Sequence, residues 1–234
     1  MPTPVILLEN VRKSFPLPGS DRPGGERTVV LDIPGFRVDA GEQLALEGQS
    51  GSGKSTLLNV ISGITRPDSG RVEIDGIDLA RLDEARRDRV RADTLGMVFQ
   101  SFNLLPGFTA LENVLVAMAF GSARPDRARA EALLTAVDLG HRLHHRPAEL
   151  STGQQQRVAV ARALANQPRV VLADEPTASI DAAHQQQVID LLRTTCTAHN
   201  VALVVVTHAA EVSEQFPRRL RLEDFNRAAA AHRH

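Results

Sequence analysis

The segment Gly48-Gln49-Ser50-Gly51-Ser52-Gly53-Lys54-Ser55-Thr56 constrains this chain more than any other. It joins a short apolar run, Gln43 to Glu47, to a helix-like apolar stretch, Lys54 to Ile64. Its pattern is G-x-x-x-x-G-K-[ST], and the order strand, glycine loop, helix is what a phosphate-binding unit requires. The glycines let backbone N–H groups turn inward around phosphate oxygens, and the following helix presents its positive end to the same anion. Lys54 is expected to reach the β- and γ-phosphates of a nucleotide, and Ser55 to hold Mg²⁺.

A second apolar run, Val170-Val171-Leu172-Ala173, ends in Asp174-Glu175. In a parallel sheet such a strand delivers its carboxylates at the carboxyl edge, where ligands bind. Asp174 is expected in the Mg²⁺ shell and Glu175 beside an attacking water. Arg169 to Ala173 and Val201 to Val206 read as strands buried on both faces, and Ala182 to Ala198 between them has helical spacing. The alternation predicts an α/β fold with a mainly parallel sheet. The middle, from about Phe102 to Ala165, has helical segments (Leu111 to Phe120 and Arg127 to Val137) and no convincing strand, so it reads as an all-helical insert. Pro16 to Thr28 is rich in Pro and Gly and reads as a surface loop.

Composition removes several alternatives. The formal net charge of −1 provides no global basic field, so nucleic acid is not an expected partner. No apolar run approaches the roughly 18 to 20 residues needed to cross a bilayer, and the opening MPTPVILLEN lacks the pattern of a secretory signal. The chain is therefore expected to be soluble, without direct membrane insertion. Its one cysteine, Cys196, suggests a reducing compartment and a structural thiol. Trp and Tyr are absent, so a stacking ring must be a phenylalanine or a histidine.

Leu150-Ser151-Thr152-Gly153-Gln154-Gln155-Gln156-Arg157, followed by VAVARAL, resembles the LSGGQ signature of the ABC ATPases. The resemblance runs from Leu7 to about Leu222. It implies a P-loop NTPase core (1–99 and 166–234) with a mainly parallel sheet, a small antiparallel N-terminal sheet and a helical insert at about 100–165, all in one ABC ATPase domain. It also implies ATP and Mg²⁺ as ligands and a head-to-tail dimer, homodimeric or with a paired ABC subunit. Ser151, Gly153 and Gln154 would then face the nucleotide of the opposite subunit. Ser151 and Thr152 are also good helix cappers, which is the alternative reading.

Further positions follow from the same resemblance. Gln100 matches a glutamine that ligates Mg²⁺, Asp181 in Ser179-Ile180-Asp181 a dimer-facing loop, and His208 the histidine that touches the γ-phosphate. Phe15 matches the adenine-stacking aromatic, the alternative being a core phenylalanine. Gly48, Ser50, Gly51, Ser52, Gly53 and Thr56 complete the nucleotide contacts with Lys54 and Ser55. Two departures stand out. Thr152 replaces a glycine, and Ala209 replaces the Asp usual after the histidine. The chain stops soon after Arg219 to Leu222, and so is expected to lack the carboxyl-terminal domain of many sugar-importer ATPases.

Phe99-Gln100-Ser101-Phe102-Asn103-Leu104-Leu105-Pro106 and Thr109-Ala110-Leu111-Glu112-Asn113-Val114 resemble the lipoprotein-release, macrolide-export and FtsE-type group. This implies an integral membrane permease as partner, export or lipoprotein extraction as the work driven, and residence at the cytoplasmic face of the cell's inner membrane. An FtsE-like regulator of a cell-wall hydrolase is the alternative within the group. Phe102 to Phe108 would be part of the groove that receives the membrane partner, or simply core of the insert.

Overall fold

The computed structural model describes residues 4–17, 19, 25–49, 51–178 and 182–228. Its centre is a parallel sheet built from the apolar runs. β3 (Gln43–Glu47), β6 (Leu95–Val98), β7 (Val170–Asp174), β8 (Ala202–Thr207) and β9 (Arg218–Arg221) lie in the order β6-β7-β8-β3-β9. Because side chains alternate across a strand, the sheet sorts its residues between two cores. Ala45, Val171, Ala173, Leu203 and Val205 face one, and Leu44, Leu46, Val170, Leu172, Val204 and Val206 face the other.

The second of these cores is closed by an antiparallel sheet. It comprises β1 (Pro4–Pro16), β2 (Arg27–Asp39), β4 (Ser69–Ile74) and β5 (Ile77–Asp78), in the order β2-β1-β4-β5. Their inward residues, among them Ile6, Leu8, Leu31, Ile33 and Ile74, pack with Leu57, Leu58 and Ile61 of α1 (Lys54–Ile61). The helix expected to reach Ile64 ends at Ile61. The Ser62 amide bonds to the Leu58 carbonyl, Gly63 turns left-handed at φ 69°, and Pro67 follows closely.

The other core belongs to the helices between β6 and β7. There α3 (Ala110–Phe120), α4 (Arg127–Ala136) and α5 (Thr152–Ala163) bury Leu111, Val114, Met118, Leu134 and Val158. Capping boxes start two of them: Thr109 with Glu112 on α3, and Ser151 with Gln154 on α5. The helix α6 (Ala182–Ala198) covers the same face of the sheet through Val188, Ile189, Leu192 and Cys196. Burial pushes the Cys196 thiol up to about 12. Charge-rich α2 (Glu84–Thr94), with Arg87 its buried residue, has no apolar stripe to announce it in the sequence. Two short helices finish the chain, α7 (Ala210–Ser213) and α8 (Leu222–Phe225).

β6 lies hard against the end of α5. A Cβ at Gly96 would sit 2.3 Å from the Ala163 carbonyl oxygen and 3.0 Å from Val171 Cγ2. Substituting Gly96→Ala should therefore destabilise the fold by about 1–3 kcal/mol. The expected result is a melting temperature lower by roughly 3–10 °C with native circular dichroism below it. An unchanged transition would show that β6 and α5 can separate freely.

Candidate active site

The loop before α1 is wrapped around its own lysine. Lys54 is buried, and its Nζ donates to the carbonyls of Gly48 at 2.6 Å and Gln49 at 2.8 Å. Gly51 and Gly53 have φ of 80° and 101°, conformations that cost a β-carbon residue dearly. A Cβ at Gly53 would also approach Val30 Cγ1 to 3.1 Å. No side chain caps α1 and no acid lies in its first turn, so its leading N–H groups are open to an anion.

The carboxyl end of β7 brings two acids to the same place. Ser55 Oγ lies 3.4 Å from Asp174 Oδ2, and Glu175 Oε1 lies 2.9 Å from His208 Nδ1. Burial first, and then the Glu175 carboxylate, push the Asp174 carboxyl above its ordinary value; Ser55 and Lys54 offset this in part. Glu175 is held in a left-handed conformation, φ 46°, with its amide on the Val206 carbonyl at 2.9 Å. His208 follows β8 directly, and its side chain is two-thirds exposed at 66%.

These groups line one open cleft of about 750 Å³. Phe15 from β1 and Val30 from β2 form one wall; Gly51, Gly53, Lys54, Ser55 and Thr56 form the floor. Gln100, Asp174, Glu175, Ala178 and His208 complete it. Phe15, at 40% exposure, is thus a cleft residue rather than a core one. Gly48 lies just outside, in a neighbouring depression with Gln49 and Glu223, whose carboxylate accepts the Gln49 amide at 2.9 Å. The Ser52 hydroxyl is buried with no hydrogen-bond partner among the described residues. Ser50 and the segment Ser179-Ile180-Asp181 lie outside the described residues.

Ser151, Gly153 and Gln154 do not join this cleft. They line a separate depression of about 320 Å³, at the start of α5 and beside α6. Ser151 Oγ accepts the Gln154 amide at 3.3 Å and Gln154 Oε1 the Ser151 amide at 3.0 Å, so the capping reading holds in full. A Cβ on Gly153 would meet nothing within 4 Å, which leaves that helix tip open. Thr152 occupies the first turn of α5 with no left-handed φ, so its branched side chain is not opposed by the backbone. Ala209 gives α7 no side-chain cap, and Thr207 Oγ1 accepts its amide at 3.1 Å instead.

A third depression, of about 690 Å³, lies among α2, β6, α3 and α5. Ile64, Met97, Phe99 and Phe120 supply apolar surface, and Arg89, Arg91 and Arg162 supply charge. Of the stretch Phe102–Phe108, Asn103 alone lines it: Phe102 is buried, while Leu105 and Phe108 are exposed elsewhere. A strained turn opens that stretch. Phe102 and Asn103 take φ of 56° and 47°, and Arg162 donates to both of their carbonyls, at 2.6 and 2.5 Å. Sequence reading missed Arg162, Val30, Ala178 and Glu223, because none carries a local signal.

The family model described as ABC transporter matches residues 31–178. The lipoprotein-releasing system ATP-binding protein LolD of Pseudomonas syringae pv. tomato is 45% identical over 221 residues, covering 94% of this chain and 95% of that protein. LolD of Anaeromyxobacter dehalogenans is 47% identical over 225 residues, covering 95% and 92%. A dimeric post-hydrolysis state of the ATP-binding cassette MJ0796, bound to ADP and Pi, superposes with a TM-score of 0.80 at 38% identity, covering 94% of each chain.

The raised Asp174 carboxyl sets a testable pH dependence. A carboxyl raised by folding opposes the folded state wherever it is ionised. This cost is absent below the unfolded value of about 4 and complete above the higher folded value. Asp174→Asn should therefore melt about 1–3 °C above the parent at pH 7 to 8. The gain should shrink towards zero near pH 4 in thermal scans without nucleotide. A variant less stable at pH 8 than the parent would contradict the assigned cause.

Proposed function

This chain belongs to the ABC transporter family, and on that premise we propose how its residues divide the labour of an ATP-hydrolysing subunit. The chain is an ATPase of the ABC type that works as a dimer, and its fold is that of the dimeric cassettes. One observation carries the reading of its site. Within a single chain the phosphate cradle and the tip of α5 open into different depressions, so a second copy is needed to bring them together.

The triphosphate lies on the loop amides and the start of α1, with Lys54 leaving the Gly48 and Gln49 carbonyls for the β- and γ-phosphates. Phe15 stacks on the base. The Ser55 hydroxyl, the Gln100 amide oxygen and the Asp174 carboxylate are hard oxygen donors that suit Mg²⁺. Among the described residues no cluster of three or more His, Cys, Asp or Glu could hold a metal by itself, which fits an ion that also leans on substrate phosphates. When bound, Mg²⁺ neutralises phosphate charge. Glu175 accepts a proton from the attacking water, and His208, now 2.9 Å from Glu175, turns to the γ-phosphate. The Ser151 hydroxyl, the Gly153 amide and the Gln154 side chain of a second copy close over that phosphate. Asp181, outside the described residues, belongs to the same dimer face.

The nucleotide core spans 1–99 and 166–234, and the helical unit about 100–165. The depression among α2, β6, α3 and α5 receives an integral membrane partner. Its apolar floor and exposed Phe120, 69% accessible, support this, as does the Arg162 clamp tying it to the turn after Gln100. Among the described residues no helix is long and apolar enough to cross a membrane. The subunit sits peripherally on the cytoplasmic side of the inner membrane, anchored by its partner, a reading supported by its likeness to the LolD proteins. Its likeness to ATP-binding proteins of lipoprotein-releasing systems supports lipoprotein release as the process driven.

Glu175→Gln should bind ATP, accumulate as a dimer by light scattering, and release phosphate about 10²–10⁴-fold more slowly. A monomer hydrolysing at the parental rate would refute the role given to Glu175. Lys54→Ala should abolish ATP binding in equilibrium titration, and unchanged affinity would refute the cradle.

A further inference from the structure

The wall that carries Phe15 is held from an unexpected direction. Along β1, Ser14 is buried at 9% while Phe15 stands 40% exposed and lines the cleft. At this point the pairing of β1 with β2 slips: Lys13 opposes Leu31, but Ser14 opposes Val29, so Val30 is an extra residue. Such irregularities re-aim side chains, often beside functional sites. Phe15 is also the last residue but one of its strand, paired with Thr28 of β2 on one side but beyond the pairing with β4, which stops at Arg12.

Asp68 supplies the missing restraint. It follows Pro67 in the connection from α1 to β4, and its amide donates to the Arg12 carbonyl at 2.7 Å. Its Oδ2 accepts both the amide and the hydroxyl of Ser14, each at 2.7 Å, and its Oδ1 accepts Lys13 Nζ at 3.2 Å. From the other side Arg27 donates Nε to Ser14 Oγ and Nη2 to the Ser14 carbonyl, both at 2.9 Å. Lys13, so tethered, places Nζ 5.2 Å from the centroid of the Phe15 ring, covering one face of it. Burial pushes the Asp68 carboxyl up, but Ser14 and Lys13 outweigh it and hold the group below its ordinary range. The carboxylate is therefore charged throughout the neutral range.

We propose that Asp68 is a positioning residue for the nucleotide base: through Ser14 and Lys13 it fixes Phe15 as the platform on which the base stacks. This rests on the reading of Phe15 given above. Asp68 lies beyond the end of α1, just before β4, and its hydrogen bonds go to Arg12, Lys13 and Ser14 of β1 rather than to the phosphate loop. Loss of Asp68 is then felt by the base and not by the phosphates.

Equilibrium competition against a fluorescent nucleotide tests this, using ATP and inorganic triphosphate with Mg²⁺ on the full chain. Asp68→Ala should weaken ATP about three- to tenfold, within the range of base–aromatic stacking, while triphosphate affinity and turnover at saturating ATP stay unchanged. Phe15→Ala should weaken ATP at least as much while leaving triphosphate affinity unchanged, and the double variant should lose no more ATP affinity than Phe15→Ala alone. Asp68→Asn, which keeps an acceptor for Ser14 but no charge for Lys13, should show a smaller loss, and it carries the test should Asp68→Ala not fold. Equal losses of ATP and triphosphate, or additive losses in the double variant, would mean that Asp68 only staples the sheet. If Phe15→Ala discriminates and neither Asp68 variant does, the inference alone fails. If Phe15→Ala does not discriminate, the base-platform reading fails with it.

Discussion

Asp174 pairs with Val206 across the central sheet, and Glu47 pairs with Thr207 on its other side. From these registrations three strands finish level with one another. The glycine loop leaves after Glu47, the acids stand at the end of β7, and His208 leaves after Thr207. Parallel pairing is what makes this possible, because every strand then presents the same end. The residues that set the register are the buried Val and Leu of β3, β7 and β8, fully enclosed between two cores. Slip one strand by a residue and its side chains would exchange cores while its functional residue moved by a strand step. The chemistry is thus held by packing that takes no part in it.

Some of the local strain in the chain lies near the same edge. Glu175, Phe102 and Asn103 hold left-handed backbones without being glycine, and the Asp174 carboxyl, pushed up by burial and by Glu175, sits beside that second carboxylate in a half-buried place. Each such feature opposes folding and persists only where neighbours over-determine it. The neighbours are identifiable here: the Val206 carbonyl for Glu175, and the Arg162 guanidinium for the Phe102–Asn103 turn.

Much of this was legible in the residues alone, and the boundary follows physical range. β3, α6 and the strand ending in Asp174 could be read because periodicity and breakers lie within a few residues of each other. The glycine loop could be read because one backbone segment carries its whole function. α2 could not, since its charge-rich sequence carries no apolar stripe and the residue it buries is Arg87. The roles of Arg162 and Asp68 depend on partners 59 and 54 residues away, and no local pattern encodes such a pairing. Ser151, Gly153 and Gln154 were found as a motif, but their separation from the cleft is a fact of three dimensions. Ser151 also shows that two readings of a residue can coexist, since a helix cap and an open helix tip use different atoms.

Cys196 is buried on the side of α6 that covers the sheet, its thiol pushed up to about 12 by burial. At neutral pH such a sulfur is almost entirely uncharged and unreactive. The natural chain is therefore close to silent towards thiol reagents while it remains folded. A cysteine introduced at the rim of the cleft or at the tip of α5 would carry a dye or a cross-linker essentially alone. Opening and closing of the paired subunits could then be followed by distance-sensitive spectroscopy without first removing a native residue from the core.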